Sequence, residues 1–293
     1  MQKLRRTMLF VPGNNPGMIR DAHIYGADSI MLDLEDSVSV HEKDAARLLV
    51  YHALKSLDFG KTEVLVRVNA LNSPFGKEDL EAIIRAGPDA IRMPKTETPQ
   101  EVTEVDGIIS AIEKEAGMEP GTIKLFAAIE SAKGVLNAPQ IAVASSRLVG
   151  MALGAEDFVT DLKTTRSVDG IELLTARSLI LFAARAAGID AIDTVFSNVN
   201  DEKGFSEEVK LIKQLGFDGK SIINPRQIET VHEIFTPSKE EVAKSIRIIE
   251  ASAEAEAKGS GVVSLDGRMI DRPIVERARR VLAFADAVKV NRR

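Results

Sequence analysis

Leu125-Phe-Ala-Ala-Ile-Glu130 and, a strand and a helix later, Leu153-Gly-Ala-Glu-Asp157 are short apolar runs that end abruptly in acid. A run of roughly four to eight apolar residues bounded by polar or turn residues suits a strand buried on both faces. A carboxylate at the C-terminal lip of such a strand lies where parallel-sheet proteins hold their ligands. Two acids from two strands, aimed at one mouth, make a hard oxygen pair. That is too few ligands for a Ca²⁺ cage but suits Mg²⁺, which keeps waters and shares its other positions with substrate. Glu130 and Asp157 are therefore the candidate metal ligands. Each also has a plainer reading: Glu130 as a cap for the helix that starts at Ser131, and Asp157 as the opening of a loop.

Working outward, the same grammar repeats along the 293 residues. Strands are expected at Thr7–Val11, Ser29–Leu34, Glu63–Val68, Ala90–Met93, Leu125–Ile129, Arg147–Leu153, Ala191–Phe196 and Gly219–Ile223. Helical periodicity falls between them, at about 16–25, 40–57, 77–85, from Thr98-Pro99 onward, 171–187 and 207–214. Eight strand–helix units predict an α/β fold, an eight-fold β/α (TIM) barrel. A doubly wound sheet is the alternative, but no G-x-G-x-x-G or P-loop supports it. Past Pro237 the pattern changes. A helix over Ser238–Lys258, a break at Gly259-Ser-Gly261, a hairpin around Asp266-Gly267 and a last helix after Asp271 form a C-terminal helix–hairpin–helix extension. The expected division is 1–236 for the barrel with its site and 237–293 for the extension, placed against a neighbouring subunit.

Composition narrows the chemistry. Net charge is −6 with no basic cluster, which argues against nucleic acid, and the absence of cysteine excludes disulfides and thiolate sites. No apolar stretch reaches a membrane span, and Met8–Val11 is too short for a signal-peptide core, so a cytoplasmic enzyme is expected. Arg67 sits inside the apolar run Val64–Asn69 and must meet an acid or an anionic ligand. Asp33, Glu35 and Asp36 crowd the end of the second strand, where they either back the metal site, pair with Arg67 or surround a helix start. Lys95 balances this charge as an ion pair. The four histidines, His23, His41, His52 and His232, fall in or at the start of helices without ligand spacing. Asp271 reads as an N-cap ahead of Pro273.

Met8-Leu-Phe-Val-Pro-Gly13, Asp33-Leu-Glu-Asp-Ser37, Val66-Arg-Val-Asn69, Met93-Pro-Lys95, Ala128-Ile-Glu-Ser131, Leu153-Gly-Ala-Glu-Asp157, Gly216-Phe-Asp-Gly-Lys220 and Ile223-Asn-Pro-Arg226, in this order, carry a resemblance. The chain resembles the citrate lyase β subunits (citryl-ACP lyases) within the HpcH/HpaI aldolase and malyl-CoA lyase-like superfamily. The resemblance implies Mg²⁺-dependent cleavage of a citryl thioester to oxaloacetate and an acetyl thioester. It implies Glu130 and Asp157 as Mg²⁺ ligands, Arg67 as a substrate-binding and catalytic residue, and the Gly154-Ala155 backbone as a seat for the keto-acid carboxylate. It gives Asp271 a catalytic role in the neighbouring subunit of a homotrimer. Implied partners are an acyl carrier protein (γ subunit) or coenzyme A as thiol carrier, and a transferase α subunit. The alternatives are a malyl-, citramalyl- or other 3-hydroxyacyl-CoA lyase and, in another class, a non-catalytic scaffold that docks an acyl carrier.

Overall fold

The computed structural model describes residues 3–257, 263–265 and 267–288. Its strands β1 (Thr7–Pro12), β2 (Ser29–Asp33), β3 (Glu63–Arg67), β4 (Ala90–Met93), β5 (Lys124–Ile129), β6 (Leu148–Leu153), β7 (Asp190–Asp193) and β8 (Gly219–Ile222) close into a parallel barrel in chain order. β8 pairs back onto β1, and the expected α/β barrel is the fold observed. Every residue of β2, β3, β4, β7 and β8 is buried, because the sheet is covered on both faces.

Around the strands run α1 (Pro16–Asp21), α2 (Lys43–Ser56), α3 (Gly76–Ala86), α4 (Pro99–Glu115), α5 (Ala132–Ala142), α6 (Ala155–Asp161), α7 (Ile171–Ala187), α8 (Glu202–Leu215) and α9 (Gln227–Phe235). Thr98 opens α4 with the reciprocal Thr98–Glu101 bonds of a capping box and Pro99 in its first turn. Several boundaries move from those expected. β6 starts at Leu148, the Arg147 N–H being taken by the Ser145 hydroxyl at 2.9 Å. β7 stops at Asp193, whose carboxylate is held by Arg177 and Lys220, and 194–196 leave the sheet. α8 begins at Glu202 rather than Glu207 because Asp201 caps it, accepting from the Gly204 N–H. α6 is a short helix where only a loop was foreseen.

Inside the barrel, Met8, Met31, Leu65, Ala90, Phe126, Ala152 and Ile192 form a fully buried apolar layer. Gly150 on β6 makes room for it: a Cβ there would stand 2.2 Å from the Phe126 ring. The layer fills the middle of the barrel interior.

The chain divides into two compact units, one from Lys3 to Val231 and one from His232 onward. In the second, α10 (Lys239–Ala257) is opened by reciprocal bonds between Ser238 and Glu241 (2.8 and 3.1 Å). β9 (Val263–Leu265) and β10 (Arg268–Ile270) pair antiparallel, and α11 (Arg272–Ala287) follows. Ile248, Ile270, Val275 and Ala278 are its core. The Gly259–Gly261 break and Asp266 of the expected turn lie outside the described residues. No helix among the described residues is long and apolar enough to cross a membrane.

Candidate active site

Side chains two residues apart on a strand share a face. Stepping two residues along from the apolar layer therefore gives the next inward layer: Phe10 above Met8, Asp33 above Met31, Arg67 above Leu65, Arg92 above Ala90, Gly154 above Ala152 and Thr194 above Ile192. Glu130 stands one step beyond Ala128 on the same face. These residues, with Asp157 and Ser221, line a cavity of about 390 Å³ at the C-terminal end of the barrel. The barrel is apolar where it is sealed and charged where it opens.

Glu130 is 4% exposed, and its Oε2 has no hydrogen-bond partner. Burial pushes its carboxyl up to about 7, against the favourable charge of Arg92 and with added repulsion from Glu35. It does not cap α5; Ser131 does, its Oγ accepting from the Gly134 N–H at 3.1 Å. Gly154 leaves it space, since a Cβ there would fall 2.5 Å from Glu130 Cγ and 2.6 Å from Oε1. Asp157 lies in the first turn of α6 rather than at a strand lip or in a loop, and it is half-exposed. Glu130 and Asp157 thus line one cavity from different elements.

Among the described residues, no group of three or more His, Asp and Glu side chains could hold a metal ion by itself. A buried carboxylate without a partner, facing a second and more exposed one, fits a hard cation that takes its remaining oxygens from water and substrate. No histidine lines the cavity.

Arg67 is both of the things its position allowed. Its Nε and Nη2 grip Asp33 at 2.7 and 2.8 Å, and its Nη1 lies 2.7 Å from Glu35 and 3.3 Å from Asp36, while its edge lines the cavity. Burial opposes the Arg67 cation, but these acids outweigh it and raise its pKa further. Asp33 is held below the usual carboxylate range: burial works against its anion, and Arg67 with the Ser37 and Glu35 amides wins. Glu35 is pushed up, chiefly by burial, although Lys95 Nζ stands 3.1 Å from its Oε1. Lys95 also reaches to 3.7 Å from Asp157.

A sequence model of the HpcH/HpaI aldolase/citrate lyase family matches residues 6–225. The chain belongs to that family. It is 59% identical over 283 residues to the citrate lyase subunit beta of Haemophilus influenzae, covering 97% of each chain. Among solved structures it is similar to protein CitE of Mycobacterium tuberculosis in complex with magnesium, acetoacetate and coenzyme A. That match has a TM-score of 0.81 and 31% identity, and spans 98% of this chain and 100% of that one. A citrate lyase beta subunit of the same organism, complexed with oxaloacetate and magnesium, matches with a TM-score of 0.68 and 32% identity over 80% of this chain and 98% of that one.

Two expectations for this family member meet a more particular geometry. The Gly154 and Ala155 amides already donate to Ile129 O and Thr194 Oγ1, both at 3.0 Å, so a carboxylate that takes the Ala155 N–H displaces the Thr194 hydroxyl. Asp271 belongs to the second unit, where it N-caps α11 by accepting from Ile274 N–H at 3.2 Å; it is not among the residues lining the cavity. Among the cavity residues that were not foreseen, two carry a buried polar atom without a partner. Arg92 is 3% exposed, and burial, with the charge of Arg67 beside it, lowers its guanidinium to about 10. Its signal was present: a charge inside Ala90–Met93, of the kind that marked Arg67. Ser221, buried with its Oγ unpartnered, carries no such mark.

Proposed function

We propose that this chain is the β subunit of a citrate lyase, an Mg²⁺-dependent carbon–carbon lyase that cleaves a citryl thioester to oxaloacetate and an acetyl thioester. The observation that carries the reading is the buried, unpartnered Glu130 carboxylate sharing one cavity with Asp157, in a chain 59% identical to a citrate lyase β subunit. Glu130 and Asp157 would hold the metal. Bound there, Mg²⁺ supplies Lewis-acid polarisation of the hydroxyl and carboxylate oxygens on the substrate's carbinol carbon.

The chain's own groups account for the rest. Cleavage of the bond between the carbinol carbon and the thioester methylene sends its electron pair to a thioester enolate, while the hydroxyl becomes the keto group and gives its proton to solvent water. Arg67, locked by Asp33, presents a fixed positive edge to that developing charge, the kind of preorganised donor worth about 2.7–4 kcal/mol of barrier. Asp33, Glu35 and Asp36 hold Arg67 in place rather than meeting substrate. Asp271, from a neighbouring subunit of a trimer, protonates the enolate carbon to give the acetyl group. The second unit, expected over 237–293, packs at that subunit boundary. An acyl carrier subunit presents the citryl group, a transferase subunit charges it, and the assembly works in the cytoplasm.

The test is product analysis of the purified chain with citryl-ACP and citryl-CoA side by side, with and without Mg²⁺. Oxaloacetate is expected in the presence of Mg²⁺ only, and Glu130→Ala and Asp157→Ala should each abolish it. Glu130→Ala should melt at or above wild type without metal, since it removes an unpaired buried carboxylate. Full activity in either variant rejects the metal pair.

A further inference from the structure

Arg92 is a buried cation that no acid meets at hydrogen-bond distance among the described residues, although Glu130 and Asp33 favour its charge from further off. Its Nε has no hydrogen-bond partner, its Nη1 has the Met8 thioether at 3.6 Å, and among the described residues it makes no ion pair. Its register partner Arg67, by contrast, is gripped by Asp33 and faced by Glu35 and Asp36. A guanidinium is retained in such a place where an anion completes it. Glu130 is not that anion, since its own Oε2 is unpartnered in the same cavity. Opposite charges that face one space without bonding to each other fit a ligand that brings a cation to one and an anion to the other.

The guanidinium also points to where that anion lies. From β4 it crosses the barrel to β1, lying 5.3 Å from the Phe10 ring centroid and reaching Met8. On the next strand Met8 is in register with Ser221, whose buried Oγ also lacks a partner and lines the cavity. Two unsatisfied donors thus line the cavity, one reaching Met8 of the sealed layer and the other in register with it.

We infer that Arg92 and Ser221 form a floor receptor for the second carboxylate of the substrate, the one that a citryl group carries and a malyl group lacks. This deepens the citryl-cleaving reading and rests on it for the identity of the substrate. A citryl thioester has one free carboxylate on its carbinol carbon, next to the hydroxyl, and another on a methylene arm. Both remain on the keto acid after cleavage. Oxaloacetate therefore carries the floor carboxylate, and pyruvate is the same keto acid without it.

The experiment measures Kd for oxaloacetate and for pyruvate, by calorimetry in saturating Mg²⁺, on the full chain and on Arg92→Met, Arg92→Lys and Ser221→Ala, with melting curves for each. Wild type should prefer oxaloacetate. Arg92→Met should weaken oxaloacetate at least about 30-fold and leave pyruvate within about threefold, so that the preference collapses. Ser221→Ala should weaken oxaloacetate by about three- to tenfold and serves the same comparison if the arginine variants do not fold. A folded Arg92→Met that keeps the wild-type ratio, a Ser221→Ala that keeps it when the arginine variants are unfolded, or a wild type with no preference overturns the receptor. Citryl thioester cleavage is scored separately: wild type that prefers oxaloacetate through Arg92 yet cleaves nothing removes the lyase reading and leaves the receptor standing.

Discussion

Gly154 lacks a side chain where the Glu130 carboxylate needs room, with a Cβ only 2.5 Å from Glu130 Cγ. Gly154→Ala should therefore turn the carboxylate out of its seat while leaving the barrel folded. The expected result is Mg²⁺ affinity at least about tenfold weaker and kcat about a hundredfold lower, read by calorimetry and turnover. Unchanged Mg²⁺ affinity would mean that Glu130 does not bind metal from this position. At this scale the sequence is generous about which residues are unusual and silent about their partners. An acid closing an apolar run, or an arginine within one, is visible as a cost that something must offset. That Asp33 pairs with Arg67 while Arg92, beside it in register, has no such partner depends on which side chains meet across the barrel. Nor does a serine inside Gly219–Ile222 reveal that its hydroxyl has nothing to bond.

β7 and β8 are joined to α7 and α8 by a buried ion network. Asp193 accepts from Arg177 at 2.8 and 2.9 Å and from Lys220 at 2.9 Å, and Glu208 takes the other side of both cations. Burial alone would raise the Asp193 carboxyl, but Lys220 and Arg177 hold it down at about 2. A carboxyl depressed on folding contributes stability that is complete above its unfolded value, near 4, and is lost as pH falls through the folded value. Urea melts should thus show a loss of stability between about pH 4 and pH 2 that Asp193→Asn no longer shows. At neutral pH that variant should already be about 3–5 kcal/mol less stable, with two cations left buried. An unchanged acid limb would place the stabilisation elsewhere. All eight strands were legible as short β-branched or apolar runs, although β8 carries Lys220 and Ser221 and β7 is bounded by Asp190 and Asp193. α6 was not: its seven residues are too few to show a helical period, and so Asp157 was expected at a strand end when a helix carries it.

At the scale of the whole molecule, the residue to test is Asp271 in the second unit. Asp271 caps α11, and asparagine caps as well as aspartate, so Asp271→Asn separates the two roles of this side chain. It should leave the melting temperature unchanged and lower turnover more than tenfold, with Mg²⁺ affinity intact. If Asp271 acts across a subunit boundary, co-assembling Asp271→Asn chains with Glu130→Ala chains should restore activity that neither has alone, because some sites then draw one intact residue from each chain. Mixtures no more active than their parts would confine Asp271 to capping. The helix and hairpin pattern of this unit was readable, and so was the cap, from an aspartate set two residues ahead of Pro273.

The apolar layer beneath the cavity has a kinetic corollary. A shaft blind at its lower end is emptied in the reverse order of its filling. On the proposed citryl-cleaving reading, a keto acid lodged at the bottom would leave only after the acetyl thioester above it has withdrawn, and added oxaloacetate should then inhibit turnover competitively against the citryl thioester.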